Sequence, residues 1–256
     1  MKRFLLASND SASNKMRPGT FAILFTRFFL HSKFSSQAKI ILLLTTVFTL
    51  VQSAIAQQDE YKKVITERSA KIVNTLHITD SGKYTDVLNL VVDQYFQLNI
   101  IHEADKAAVE AIKKQSSEKD KLDKAIKEQE EKKLQLLAQL HSKFIALLEE
   151  QLTKDQIEKI KDGMTYGVMP VTWAAYQDML PQLTTDQKAQ IYSWLKEARE
   201  LAMDEGSSEK KHAVFGKYKG RINNYLSAAG YNMKMEGEEW QKRIKEREAA
   251  KNQTHK

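Results

Sequence analysis

From residue 61 onward, apolar residues recur at steps of three and four, and no stretch sustains the alternation of a half-buried strand. Tyr61, Val64, Ile65, Ile72, Val73 and Leu76 trace one helical face, which Asp80-Ser81-Gly82 breaks. A second helix starts near Tyr84; its apolar set, Val87, Leu88, Val91, Val92, Tyr95, Leu98, Ile101 and Ala108, predicts burial on a broad face. Between Lys106 and Lys133 the pattern thins to Val109, Ile112, Leu122 and Ile126 among alternating Lys, Glu, Asp and Gln. That is the composition of a solvated helical hairpin, with Ser116-Ser117 marking its turn. The period returns at Leu134, Leu137, Leu140, Phe144, Ile145 and Leu148, but Gln129 and Lys133 occupy seam positions and argue against a long coiled coil.

A short phrase occurs twice in the C-terminal half, as Leu152-Thr153-Lys154-Asp155-Gln156 and Leu183-Thr184-Thr185-Asp186-Gln187. Each reads as a capping box that starts a helix: Thr is the N-cap, Asp faces the positive helix end, and Gln reaches back to the cap. Between the boxes, Gly163 reads as a helix C-cap, and Gly167 and Pro170 as an irregular segment. A helix then begins at Val171 or Thr172, with Trp173, Tyr176, Met179 and Leu180 on its face and Pro181 at its stop. Ile191, Trp194, Leu195, Ala198, Leu201 and Ala202 predict the next, ending near Gly206. The segment 236–256 reads as a charged terminal helix with a frayed tail. The fold class this predicts is all-α, an antiparallel helical bundle of about seven to eight helices with a long charged helical hairpin.

The stretch Met203–Tyr231 concentrates glycines, aromatics, bases and amides. As a helix over Ser208–Ala229, capped by Ser207 or Ser208 and closed by Gly230, it places Phe215, Tyr218, Ile222, Tyr225, Leu226 and Ala229 on one face. Lys210, Lys217, Arg221 and Asn224 share another, and Gly216 and Gly220 lie between, beside His212 and Asn223. A glycine inside a helix costs roughly 1 kcal/mol relative to alanine. Close packing of another backbone, a ligand, or an interruption of the helix would each account for the pair.

The first 56 residues read as an export signal: a basic start, the uncharged run Ile40–Val51, and Ser53-Ala54-Ile55-Ala56 as the cleavage site, whether the true start is Met1 or Met16. The uncharged stretch from Ile40 through Ala56 is short of the roughly 20 residues a membrane helix needs, so no integral membrane segment is expected after cleavage. The mature chain would begin at Gln57, with 57–151 forming the N-terminal helices and hairpin, 152–235 the C-terminal helical part, and 57–235 one domain. The leader carries seven of the 40 Lys and Arg and one of the 33 Asp and Glu, which leaves 33 against 32 and a net charge near +1. The overall +7 is therefore no argument for a nucleic-acid partner. The absence of cysteine removes disulfides, thiolate metal sites and a catalytic thiol. His77, His102, His141 and His212 form no metal-binding spacing, and no cofactor is expected.

The run KDGMTYG followed by WxxY, and then LTTDQKAQIYSWLKEARELAMDEGSSEKKHAVFGKYKGRINNYLSAAGY, resembles a family of exported helical proteins of unassigned function. The resemblance runs from about Tyr61 to Tyr231 and is strongest from Leu152 onward. It implies a periplasmic or secreted location, a setting in polysaccharide utilisation and an oligosaccharide or polysaccharide partner; it brings no catalytic residues. The residues themselves suit such a ligand. Sugars are held by aromatic faces together with amides, carboxylates and cations, and the C-terminal half offers Asp162, Tyr166, Trp173, Asp204, His212, Lys217, Arg221, Asn223 and Asn224 as ligand-binding candidates. Aromatics at helical spacing, among them Phe215, Tyr218, Tyr225 and Trp194, equally suit a core. An enzyme remains an alternative: a polysaccharide lyase using His212, Tyr218 and Arg221, or a hydrolase using Asp162 and Asp204. A third reading takes the two LTxDQ phrases and the hairpin as marks of a periplasmic helical chaperone or adaptor.

Overall fold

The computed structural model describes residues 58–115 and 118–254. Residues 1–57, where the sequence predicts an export signal, and the turn predicted at Ser116-Ser117 lie outside the described residues. The chain divides into two compact units, Met1–Tyr61 and Lys62–Lys256; of the first, only 58–61 are described, as the first turn of a helix running to residue 74. That helix, α1 (58–74), is followed by α2 (Ser81–Gln115), α3 (Lys119–Glu149), α4 (Lys154–Met164), α5 (Val168–Met179), α6 (Thr185–Met203), α7 (Ser208–Ala228) and α8 (Met233–Thr254). The architecture is all-α, with no strand among the described residues.

α2 and α3 form the long hairpin, and α6 is the centre of the C-terminal part, touched by α4, α5 and α7. The core there is built from α5, α6 and α7: Tyr176, Leu180, Ile191, Leu195, Ala198, Phe215, Tyr218, Ile222 and Leu226 are all buried. Trp173, Trp194 and Tyr225 pack against it half-buried. Beyond Leu98 on α2 and before Leu137 on α3 the hairpin holds no buried residue among those described. Its seam instead carries a polar pair, Lys133 and Asp105, with Gln129 donating to Asp105.

Both capping boxes are formed. Thr153 accepts from the Gln156 amide while Gln156 returns a bond to the Thr153 backbone, and Thr184 and Gln187 repeat the arrangement. The two glutamines also reach outward: Gln156 donates to the Leu76 carbonyl, and Gln187 accepts from the Tyr231 hydroxyl. The LTxDQ phrase thus has a complete structural account.

Four boundaries differ from those the sequence predicts. The break after α1 lies at 75–80, and Ser81 and Gly82 already belong to α2, because the Asp80 carboxylate caps the helix by accepting from the Lys83 amide. Gly163 is not a C-cap; it lies inside α4, where a Cβ would sit 2.8 Å from Ile72 of α1, so its bareness serves close packing. α5 starts at Val168 and contains Pro170, since the first amides of a helix need no intrahelical partner. Finally, α8 is helical through Thr254. Asp178 at the end of α5 holds it, accepting from Trp240 and from both terminal nitrogens of Arg247, while Arg243 donates to the Asp178 and Met179 carbonyls.

Candidate functional site

The C-terminal ends of α4 and α6 and the start of α7 meet around a buried guanidinium. Arg199, 1% exposed, donates to Asp162 at 2.7 Å, Glu158 at 2.6 Å and Glu200 at 3.3 Å. Lys161 joins Glu200 at 2.9 Å. His141 of α3 stands between Glu200 and Asp204, 3.4 Å and 3.0 Å away. Its hydrogen bonds to Asp204 and then Glu200 outweigh burial and raise its pKa to about 9. Burial alone would raise the Glu200 carboxyl, but the bonds from His141 and Lys161 bring it down to about 2. His102 bonds the Asp204 carbonyl at 2.7 Å. Lys211, 4% exposed, donates to the last carbonyls of α6, at Ala202 and Met203. The cluster ties five helices together, α2, α3, α4, α6 and α7, and its charges are matched. Among the described residues no group of three or more His, Cys, Asp or Glu side chains is placed to hold a metal ion.

On this frame sits the turn between α4 and α5. The Gly167 amide bonds back to the Asp162 carbonyl at 2.8 Å, and the Tyr166 amide to that of Gly163 at 3.3 Å, which together form a Schellman closure. Its C′ position, left-handed and usually glycine, is filled by Tyr166 at φ +59°. The ring remains 44% exposed and lies nearly parallel to His212 of α7, with centroids 5.6 Å apart. His212 is fixed by a 2.7 Å bond from Nδ1 to the Ser208 carbonyl. On the α1 side of the same turn lies an open groove of about 360 Å³, lined by Lys71, Ile72, Thr75, Lys159, Asp162, Gly163 and Gly167.

The structure therefore gathers Asp162, Tyr166, Asp204 and His212 at one end of the bundle. The other candidates lie elsewhere. Lys217, Arg221, Asn223 and Asn224 continue along the exposed side of α7. Arg221 is about 14 Å of helical rise beyond His212. Its guanidinium lies over the Tyr218 and Trp194 rings at 4.7 and 5.8 Å and near Glu197 at 3.6 Å. Asn223 accepts from the Tyr176 hydroxyl at 2.7 Å and so joins α7 to α5. Lys217 and Asn224 are exposed, with no hydrogen bond or ion pair among the described residues. Trp173 meets Tyr192 edge-on at 5.4 Å.

Gly216 and Gly220 sit in an uninterrupted helix, and a Cβ at either would meet nothing within 4 Å. The bare strip is open, so neither close helix packing nor interruption explains it. The residues suggested for a lyase do not converge, since His212 and Arg221 are separated along α7 and Tyr218 is buried, its phenol pushed up to about 12 chiefly by that burial. Asp162 and Asp204 each already face a cationic partner, Arg199 and His141. Sequence reading missed Glu158, Arg199, Glu200, His141 and Lys211. The available signal was the pair of charge phrases Glu158-x-x-Lys161-Asp162 and Arg199-Glu200-x-x-x-Asp204, each on one helical face of a core helix.

A helical bundle with an exposed stacked aromatic pair above a partly buried ion network around one buried guanidinium is the class defined by fold and site. The chain belongs to the family described as "Protein of unknown function (DUF3826)", whose profile matches residues 62–246, from α1 into α8. No curated protein matches it.

Proposed function

We propose that the protein is exported, is cleaved after Ala56, and binds carbohydrate without catalysis at the α4–α5 turn in the course of polysaccharide utilisation. One observation carries the binding reading. Tyr166 occupies a left-handed position that costs a side-chain-bearing residue roughly 1–2 kcal/mol, yet its ring is presented to solvent and braced on His212. An aromatic face held rigid and exposed is what the C–H surface of a sugar ring stacks upon. The groove beside it, lined largely by carbon, adds an apolar surface on which the C–H face of a sugar ring can rest. Calorimetric titration of the purified protein with neutral and uronic-acid oligosaccharides tests this. Saturable binding that is lost in Tyr166→Ala and kept in Arg221→Ala supports the turn as the site; the reverse pattern moves the site to the Arg221 flank, and flat titrations across the panel contradict the reading. Export is tested by the N-terminal sequence of the protein recovered from the cell envelope or medium, which should begin at Gln57.

A second reading, a protein-binding adaptor, draws support from the distal hairpin, which lacks buried residues of its own. It predicts retention of an unfolded client by the protein and loss of that retention when the hairpin is shortened, with sugars irrelevant.

A further inference from the structure

We propose that His212 selects the sugar seated on Tyr166, its Nε2 accepting a hydrogen bond from one of that sugar's hydroxyls. This rests on the carbohydrate reading and names the group by which a ligand is recognised. His212 Nδ1 lies 2.7 Å from the Ser208 carbonyl, one turn earlier in α7, and 3.5 Å from the Ser208 hydroxyl. A carbonyl can only accept, so Nδ1 carries the hydrogen, and in the neutral ring Nε2 is left with a bare lone pair. Nε2 belongs to the far edge of an exposed side chain and has no hydrogen bond or ion pair among the described residues. The helix itself therefore fixes the tautomer and leaves the acceptor free.

The stack brings this edge to the ligand. The imidazole and the Tyr166 ring are inclined at 26° with centroids 5.6 Å apart. Parallel rings in contact are about 3.7 Å apart, so that separation means a lateral offset of roughly 4 Å. The imidazole thus covers only part of the Tyr166 face and rises as a step beside the rest. A sugar ring lying on the uncovered part meets the imidazole edge-on, and the Nε2 lone pair lies in the imidazole plane. The carboxylates gathered at this end are committed to cations, Asp162 to Arg199 at 2.7 Å and Asp204 to His141 at 3.0 Å. Sugar hydroxyls donate as well as accept. A fixed acceptor beside a flat face distinguishes a well-placed hydroxyl from a missing or inverted one, which stacking alone does not.

The first part of the test needs no ligand. Nitrogen-15 spectra of the full chain labelled at histidine, recorded where the His212 resonances report a neutral ring, should show Nδ1 protonated and Nε2 bare. A ring protonated at Nε2 overturns the assignment. In the second part, tetrasaccharides of glucose, xylose, mannose and galactose, and a trigalacturonate, are titrated into wild type and His212→Phe. The variant keeps a flat ring against Tyr166 and lacks both nitrogens; residue 212 is exposed, so the fold should be retained. Each sugar that binds wild type should bind the variant roughly three- to tenfold more weakly, as for one neutral hydrogen bond. Its addition to wild type should also move the Nε2 resonance. O-methylation of the tightest ligand at each hydroxyl in turn removes one donor at a time, and one of these ethers should bind both proteins equally. A merely structural imidazole would produce neither the shift nor that ether. Weaker binding by His212→Phe with the Nε2 resonance unmoved assigns the ring to packing and overturns the proposal. Equal affinity of the two proteins for every sugar that binds overturns it too, and leaves the carbohydrate reading standing. Failure of every sugar to bind wild type removes both.

Discussion

Two helices of this bundle end in the same hydrogen-bonded closure, α4 at Tyr166 and α7 at Gly230. At the second, the Tyr231 amide bonds to the Leu226 carbonyl and the Gly230 amide to that of Ser227, each at 3.1 Å, with Gly230 at φ +95°. Leu226 is fully buried beneath it, and glycine takes the left-handed position without strain. At the first, the third-from-last helical residue is Asp162, pinned by Arg199, and the left-handed residue is a tyrosine. One turn ends its helix at little cost; the other ends its helix and also presents an aromatic ring. Local strain persists where the surroundings over-determine it, and the ion network around Arg199 supplies that constraint.

Loosening the network should therefore disturb the strained turn first. Arg199→Ala leaves Glu158, Asp162 and Glu200 facing one another without their buried cation, and should cost about 3–5 kcal/mol, read by chemical denaturation. pH reaches the same network through His141. Its pKa rises on folding from the ordinary 6.5 to about 9, so its stabilisation is complete below pH 6.5 and is lost as pH rises through 9. Lys211 acts oppositely: burial lowers it from 10.5 to about 8, so it favours the fold as pH climbs through that interval. Between pH 6.5 and 8 the imidazole acts almost alone, and the melting temperature should fall there in the wild type and stay level in His141→Asn.

The next effects are smaller and separate packing from backbone strain. Gly163→Ala drives a Cβ to 2.8 Å from the branched Ile72 side chain and should destabilise by about 1–3 kcal/mol, and by less in an Ile72→Ala background, which lacks the two γ-carbons the methyl would meet. Gly230→Ala meets no neighbour, so its loss of about 1 kcal/mol would measure the bare cost of the left-handed position that Tyr166 bears. Gly216→Ala and Gly220→Ala should have the opposite sign, each stabilising by roughly 0.5–1 kcal/mol, because the added methyl points into open space. Loss of stability on either substitution would show that the strip is covered in solution.

Much of the fold was legible because its signals are local. The ends of α7 at Ser207 and Gly230, and the starts of α4 and α6 at Thr153 and Thr184, follow from cap chemistry within a few residues. The error at Gly163 has a physical cause: propensity assigns the helix end to the nearest glycine, whereas the chain places that glycine under Ile72 and gives the left-handed position to Tyr166, three residues later. Arg199 reads as one more polar residue on an amphipathic helix, since nothing in a 3.6-residue period says that its partners lie 37 and 41 residues earlier. The same limit hid Asp178, whose grip on Trp240 and Arg247 spans more than 60 residues. Residue type alone names Tyr166, His212, Asp162 and Asp204 as candidates, but their gathering at one end, and the separation of Arg221 from them, are tertiary facts.

On the proposed reading, Tyr166 is kept for its exposed ring at the expense of backbone ease. Tyr166→Gly, compared with wild type in parallel thermal melts and oligosaccharide titrations, tests this directly. The expected variant is as stable as wild type or up to about 1 kcal/mol more stable, and no longer binds the saccharide. A variant that is clearly less stable and still binds the sugar would mean that the ring serves packing against His212, and would contradict it.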